Sequence, residues 1–380
     1  MTLHKHGGWW VMRQSRALRS MMCFAVVLGL VPVVMAQADD APKPEFVSSA
    51  RRLLTAPELK DAPDEWIVRS QQWVDYILKQ YPPSVPDAPV RHAALIRMDD
   101  ILHIESAPHK KVVQQFYQQR MEQAIQEIEQ TQVTQGMRVW KLYSHGFFVR
   151  TRSVSFSFDI VPGGGDPAFA ISDDQIRRLA AQSDATFISH WHQDHASKEV
   201  ARAFLAAGKP VVAPPNLWDD DAEFSTKLTY AKRGSKAEPL KLANKQSVLQ
   251  VIAYPGHQGP KVLNNVYLVK TPEGLSVAQT GDQWATERND VDYNIFREMG
   301  THRIDVLIPN VWTIHLPEII AMVQPKLVIP GHENEMAHVV PHREDYTQSY
   351  TRLSPVTVPY LIMGWGESYQ YSRPGTSPKH

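Results

Sequence analysis

The stretch Ser189-His190-Trp191-His192-Gln193-Asp194-His195 places three imidazoles and a carboxylate close together, directly after the apolar run Ala185-Thr186-Phe187-Ile188. That run is short, apolar and partly β-branched, so it reads as a buried strand. A strand that ends in H-x-H-x-D-H carries four metal-ligand side chains to the edge of its sheet. His190 and His192 are two positions apart and point the same way on an extended backbone. Asp194 and His195 follow the turn and reach a second position nearby. One ion does not easily use all four, so the spacing suggests a two-metal site.

Three further candidates sit at apparent strand ends downstream. The run 247–254 leads into Pro255-Gly256-His257, the run 275–280 into Gly281-Asp282, and Lys326-Leu327-Val328-Ile329 into Pro330-Gly331-His332. Each candidate follows Gly or Pro-Gly, which ends pairing and lets backbone approach a site closely. Singly these are ordinary turn residues; together with the first segment, and in this order, they form a ligand set.

The set His190, His192, Asp194, His195, His257, Asp282 and His332 resembles that of the metallo-β-lactamase superfamily of metal-dependent hydrolases, over roughly residues 137 to 365. The strand Ser153–Asp159, which alternates and ends in Asp159, is similar to that family's first core strand. Tyr143-Ser144-His145-Gly146 resembles, with the order inverted, a Gly-His element of its lactonase and phospholipase-D-like branch. The resemblance implies that His190, His192 and His257 bind a first metal, that Asp194, His195 and His332 bind a second, and that Asp282 bridges both. It implies a place for Asp159 behind the ligands. It also implies an αββα sandwich of two mixed β-sheets with outer helices, the metals lying at one edge. Ala196 departs from the family pattern, which has Gly after the last His of the first motif. An Asp at 282, where true β-lactamases carry Cys or Ser, argues against β-lactam cleavage.

The chemistry so implied is that of an exported hydrolase with two Zn2+ per chain. A hydroxide shared between the ions would attack an ester, a lactone or a phosphodiester, with Asp194 and Asp282 as the catalytic carboxylates. No Ser-His-Asp pattern supplies a separate nucleophile. The same scaffold also hosts mononuclear iron dioxygenases acting on persulfides with two His and one Asp, the alternative reading. A non-catalytic metal-binding protein is a third; it would have no need of all seven ligands.

The first 38 residues differ from the rest. Lys5, Arg13, Arg16 and Arg19 precede an apolar run from Met21 to Met35, and Ala36-Gln37-Ala38 offers an A-x-A cleavage site. This reads as a cleavable signal peptide, with export to the periplasm or beyond. The run of about 15 apolar residues falls short of the roughly 20 a spanning helix needs. No stable membrane insertion is expected after cleavage. Removal of the segment takes away the only Cys, Cys23, and four basic residues, leaving a net charge of −4 from a chain with 40 basic and 40 acidic side chains. A mature chain without thiols has no disulfides and must hold metal by imidazole and carboxylate. Its slight acidity disfavours nucleic acid as a partner, so a small-molecule substrate is expected.

Residues 39–136 read as an N-terminal helical extension, and 137–380 as the catalytic domain. In the extension, Trp66, Ile67, Trp73, Val74, Ile77, Leu78 and Tyr81 recur at helical spacing until Pro82-Pro83. A second long helix is expected to start at Ser106 and end near Gly136. From Met137 onward short strands and helices alternate, an α/β pattern. Ser172 caps one helix and Ser197 precedes another. Asp219-Asp220-Asp221 lacks calcium-loop spacing and reads as a solvated or capping run. Trp284, Tyr293 and Phe296 suit a substrate wall or core, and His315 a structural role or a proton relay.

Overall fold

A computed structural model describes residues 60–243, 247–284 and 291–373. The expected signal peptide and most of the lead-in segment lie outside these residues. In chain order, the first three helices are α1 (Asp64–Gln80), α2 (Pro89–Leu102) and α3 (Lys111–Gln130). Strands β1 (Met137–Lys141), β2 (Phe147–Arg150) and β3 (Ser155–Phe158) follow, then α4 (Asp173–Gln182), β4 (Ala185–Phe187), α5 (Lys198–Ala206) and β5 (Val211–Ala213). Next come α6 (Ala222–Ser225), β6 (Thr229–Tyr230), β7 (Glu238–Lys241), β8 (Val248–Gln258), β9 (Val262–Lys270) and β10 (Ser276–Gln279). The chain continues through α7 (Val291–Met299), β11 (Val306–Ile308), α8 (Leu316–Val323), β12 (Leu327–Val328), α9 (Tyr346–Leu353) and β13 (Ser368–Tyr371).

The strands form two mixed sheets, one ordered β13-β1-β2-β3-β4-β5-β6 and the other β12-β11-β10-β9-β8-β7. Strand periodicity explains why they stack. Val139, Phe147, Val149, Phe156 and Phe158 of the first sheet form one apolar cluster with Val251, Ala253, Tyr267, Val269, Val277 and Val306 of the second. Their neighbours in sequence, Trp140, Phe148, Ile252, Tyr254, Leu268 and Leu307, point the opposite way and join the helical residues. With both faces of each sheet apolar, both must be covered, which gives the expected four-layer α/β sandwich.

Three local expectations shift. Strand β8 does not stop before Pro255; it runs to Gln258, with His257 paired to Leu263. Ala253 spends its carbonyl on Gly234 N–H (2.9 Å), away from β9. Pro255, two residues on, turns its missing N–H to the same open side, so no ladder bond to β9 is lost. The helix expected from Ser106 starts at Lys111. Ser106-Ala107-Pro108-His109 forms a 3-10 turn instead, and an extended Lys110 separates the two. Helix α2 carries no apolar stripe in sequence, because the side it buries includes Arg91, Arg97 and Asp99. The Ser172 and Ser197 caps are both present, the first as a full capping box. Asp221 caps α6.

Arg91 shows what secures the helical layer. Its guanidinium is fully buried, donates to Glu367 Oε1 at 2.6 Å and to the Ile362 carbonyl at 2.9 Å, and meets Asp87 at 3.1 Å. It thereby ties α2 to the segment that leads into β13. Removing one partner of a buried pair leaves the other charge uncompensated, whereas removing both is often nearly neutral. Arg91→Met should therefore cost about 3–5 kcal/mol in urea unfolding. Arg91→Met combined with Glu367→Leu should recover part of that loss, in the same measurement, because Asp87 still lacks its partner.

Candidate metal centre

Strands β3 and β4 run parallel in one sheet, and β10, β11 and β12 run parallel in the other. The segments leaving their C-terminal ends carry Asp159, Ser189 to His195, Asp282, Asn310 and His332. Two of the glycines read as close-approach points prove to be so. At Gly281, φ +52°, a Cβ would sit 2.4 Å from Ser189 Cβ, and at Gly331 a Cβ would sit 2.6 Å from His145 Nδ1.

Six of the seven ligand candidates come together in two groups whose donor atoms lie within 4.8 Å of one another. One is Asp194, His195, Asp282 and His332; the other is His190, His192 and Asp282. Asp282 belongs to both. Its Oδ1 lies 3.1 Å from His195 Nε2 and 3.7 Å from His332 Nε2, while its Oδ2 lies 3.6 Å from His190 Nε2. Asp194 Oδ2 closes the larger group, 3.3 Å from His195 Nε2 and 3.1 Å from His332 Nε2. His257 stands outside both groups. Its Nε2 meets Asp292 at 2.8 Å and its Nδ1 the Gly259 carbonyl at 2.8 Å. The smaller group is thus two imidazoles and a carboxylate, without the third imidazole that the resemblance implies.

A layer of polar side chains aims these ligands. Asp159, itself in the left-handed region at φ 44°, accepts from Ser189 N–H (2.7 Å), Ser189 Oγ (2.8 Å) and Gln279 Nε2 (2.6 Å). Its Oδ2 lies 2.9 Å from His195 Nδ1, which leaves Nε2 of that ring for the group. His332 Nδ1 faces Glu344 at 3.2 Å. Asp282 accepts from Asn310 Nδ2 and, at 3.0 Å, from Gln258 Nε2. Of these supporting residues the sequence pointed only to Asp159. Asn310 follows a strand as Asp282 does, a usable signal, but Glu344 and Gln258 carry none.

The donor set fits a cation. Nε2 of His190 and of His195 are buried and make no hydrogen bond, although carboxylate oxygens stand close to both. A buried polar atom left unpaired costs about 1–3 kcal/mol, and a metal ion would remove that cost. Imidazole and carboxylate donors without thiolate suit zinc or iron.

The two groups differ electrostatically. Burial, with the neighbouring His195, holds His190 well below the usual imidazole range, and burial lowers His192 too. At His195 and His332 burial also pushes down, but Asp282 and Asp194 outweigh it and hold both rings well above. Against burial, His195 and His332 hold Asp194 and Asp282 well below the carboxylate range. Both carboxylates therefore stay ionised, so they supply charge more readily than protons. Glu335 is the contrary case: burial and then Asp194's charge push it up to about 7, with one oxygen taking the Tyr143 hydroxyl at 2.8 Å. His145 is fully buried with neither ring nitrogen hydrogen-bonded, its ring 5.6 Å from that of His195 and 6.3 Å from that of His332. His315 lies apart from both groups, its ring half-buried 6.4 Å from Tyr293.

No family model matches the chain, and no curated protein matches it. Solved structures do. The chain is similar to Igni18, a metallo hydrolase from the hyperthermophilic archaeon Ignicoccus hospitalis, with 16% identity, 62% of this chain and 99% of that one covered, and a TM-score of 0.48. It is similar to CmlA, a diiron β-hydroxylase from Streptomyces venezuelae, at 14% identity, 63% and 55% coverage and a TM-score of 0.45. It is also similar to an isothiocyanate hydrolase from Delia radicum gut bacteria, at 10% identity, 62% and 100% coverage and a TM-score of 0.45. The two-sheet architecture itself is the one that the metallo-β-lactamase resemblance implies.

Asp159 holds Ser189, Gln279 and the His195 ring at once, so its loss should be felt at the metal. Asp159→Asn should weaken binding of one ion by about 10- to 100-fold, the usual cost of losing a group that orients a ligand. Zinc titration of the apo-protein against a chelating dye measures it.

Proposed function

We propose that this chain is a dinuclear metal-dependent hydrolase, with zinc as the native metal and an ester, lactone or phosphodiester as the substrate. The observation that carries the reading is that one carboxylate, Asp282, belongs to both ligand groups. His190, His192 and Asp282 would hold one ion; Asp194, His195, His332 and Asp282 would hold the other. Ions so held supply Lewis acidity and a water acidic enough to ionise at neutral pH.

The remaining steps belong to the chain. Asp282, fixed by Asn310 and Gln258, sets the spacing of the two groups and neutralises part of their charge. Asp159 and Glu344 fix which nitrogen of His195 and of His332 faces inward. The mononuclear iron reading has one observation in its favour, since His190, His192 and Asp282 alone make a two-His, one-carboxylate set. It leaves unexplained why Asp194, His195 and His332 converge equally closely beside them.

Metal analysis of purified protein should find two zinc ions per chain; one iron would favour the alternative. Turnover should appear on a panel of lactones, aryl esters and bis-aryl phosphodiesters. Asp282→Asn keeps the shape and removes one charge from between the ions. Turnover on the active substrate should fall about 10²-fold or more, a loss on the scale of positioned catalytic groups, with thermal melting little changed. Undiminished turnover with two ions bound would refute the shared role.

The protein is also proposed to be exported after cleavage of its N-terminal segment. N-terminal sequencing of the exported form should begin near Asp39, or near Gln37 if cleavage follows Ala36.

A further inference from the structure

His332 is the one ligand carried on a long irregular segment. Between β12 and α9 the chain makes only one 3-10 turn, Val340–His342, and both His332 (φ 81°) and Asn334 (φ 57°) are left-handed. Non-glycine residues hold such angles only where their surroundings enforce them.

Successive side chains of this segment are each held from a different place. Glu333 pairs with the fully buried Lys141 and accepts from Ser349 Oγ at 2.7 Å. Glu335 is held by Tyr143. Asn334 is held from the N-terminal helical layer, by Asp99 of α2. The Asp99 carboxylate is buried and accepts four bonds: Asn334 Nδ2 at 3.0 Å, Tyr346 N–H at 2.9 Å, Thr347 N–H at 3.1 Å and Thr347 Oγ1 at 3.3 Å. It thus pins both legs of the segment at once. Asn334 N–H in turn donates to the Glu344 carbonyl at 2.7 Å, and the Glu344 carboxylate faces His332 Nδ1. Two more ties join the return leg to the end of α2. His103 Nε2 lies 2.6 Å from the Arg343 carbonyl, and the Arg343 guanidinium donates to the Leu102 carbonyl at 2.9 Å.

We infer that Asp99 is a positioning residue for the metal centre: through Asn334 and Glu344 it sets the orientation of His332, and this makes the N-terminal helical layer a working part of the site. The inference rests on the two-metal reading above. Asp99 touches neither ion, so its effect must pass through His332 and fall on the position that His332 serves.

The test is calorimetric titration of the whole apo-protein with Zn2+, together with the visible absorption of the Co2+-loaded form. The parent should take two ions. Asp99→Asn keeps the shape but cannot accept from Thr347 N–H and Asn334 together as the carboxylate does. Asn334→Gly tolerates the left-handed backbone and removes the link alone, so it carries the test if the first variant fails to fold. In each, one Kd should rise about 10-fold, the low end for outer-shell partners, the other should stay within about twofold, and the Co2+ bands should shift. Asp75→Ala is the control. It breaks the ion pair of Arg120 between α1 and α3, and should lower Tm while leaving both Kd values and the Co2+ spectrum unchanged. Unchanged Kd values in a folded Asp99→Asn or Asn334→Gly protein would overturn the inference, as would an equal loss in the control. A parent that binds fewer than two ions would overturn the two-metal reading and the inference with it.

Discussion

The arrangement depends on one buried carboxylate lying between two sets of imidazoles. Asp282 is 2% exposed and faces His190 on one side and His195 and His332 on the other. Charge of this density is costly to bury unless it is paired. Without ions, the pairing is with His195 and His332, whose pKa values Asp282 and Asp194 raise against burial. With ions, the same carboxylates compensate metal charge. Either way the negative charge must stay, which is why Asn310 and Gln258 both donate to Asp282 and why burial fails to raise its pKa.

The sandwich follows from this need as much as from hydrophobic patterning. The proposed two-metal site would require ligands from several chain segments at fixed separations. Strand ends give that: β4 and β10 are interior strands, locked by ladder bonds on both sides. The ends of β4 and β10 come from different sheets, and the close approach at Gly281 lets Ser189 of one touch the backbone of the other. Side chains between the sheets are largely apolar.

What the sequence revealed, and what it hid, has a common physical cause. Strand alternation, the H-x-H-x-D-H cluster and the Gly-Asp and Pro-Gly-His turns are local patterns, so the two sheets and six convergent ligands could be read from them. Helix α2 escaped because its buried face includes Arg91, Arg97 and Asp99, and two of these, Arg91 and Asp99, find partners far along the chain. Glu344 escaped because the irregular segment between it and His332 has no period that would mark the two as facing. His257 was legible as a turn ligand, but its place was not: β8 runs through it, and Asp292, from a helix beyond β10, takes its ring. Burial of a charged side chain is decided by its partner, and a partner some 250 residues away leaves no periodic trace.

The contrast between the strand-end ligands and His332 explains the helical layer. His190 follows β4 by three positions and Asp282 follows β10 by three, so the sheet itself fixes them. His332 follows β12, a two-residue strand at the sheet's edge, and its segment then wanders for more than a dozen residues before α9. Backbone pairing reaches only as far as Gly331, which bridges Asn310, and His332 N–H, which donates to the Ser144 carbonyl. Beyond that point the loop has no ladder, and Lys141, Tyr143, Asp99 and Arg343 hold it, two from the sheet side, one from the helical layer and one from the loop itself. A charged residue buried in α2 is expensive as packing. It becomes intelligible as the anchor of a loop that has to present an imidazole at a fixed angle.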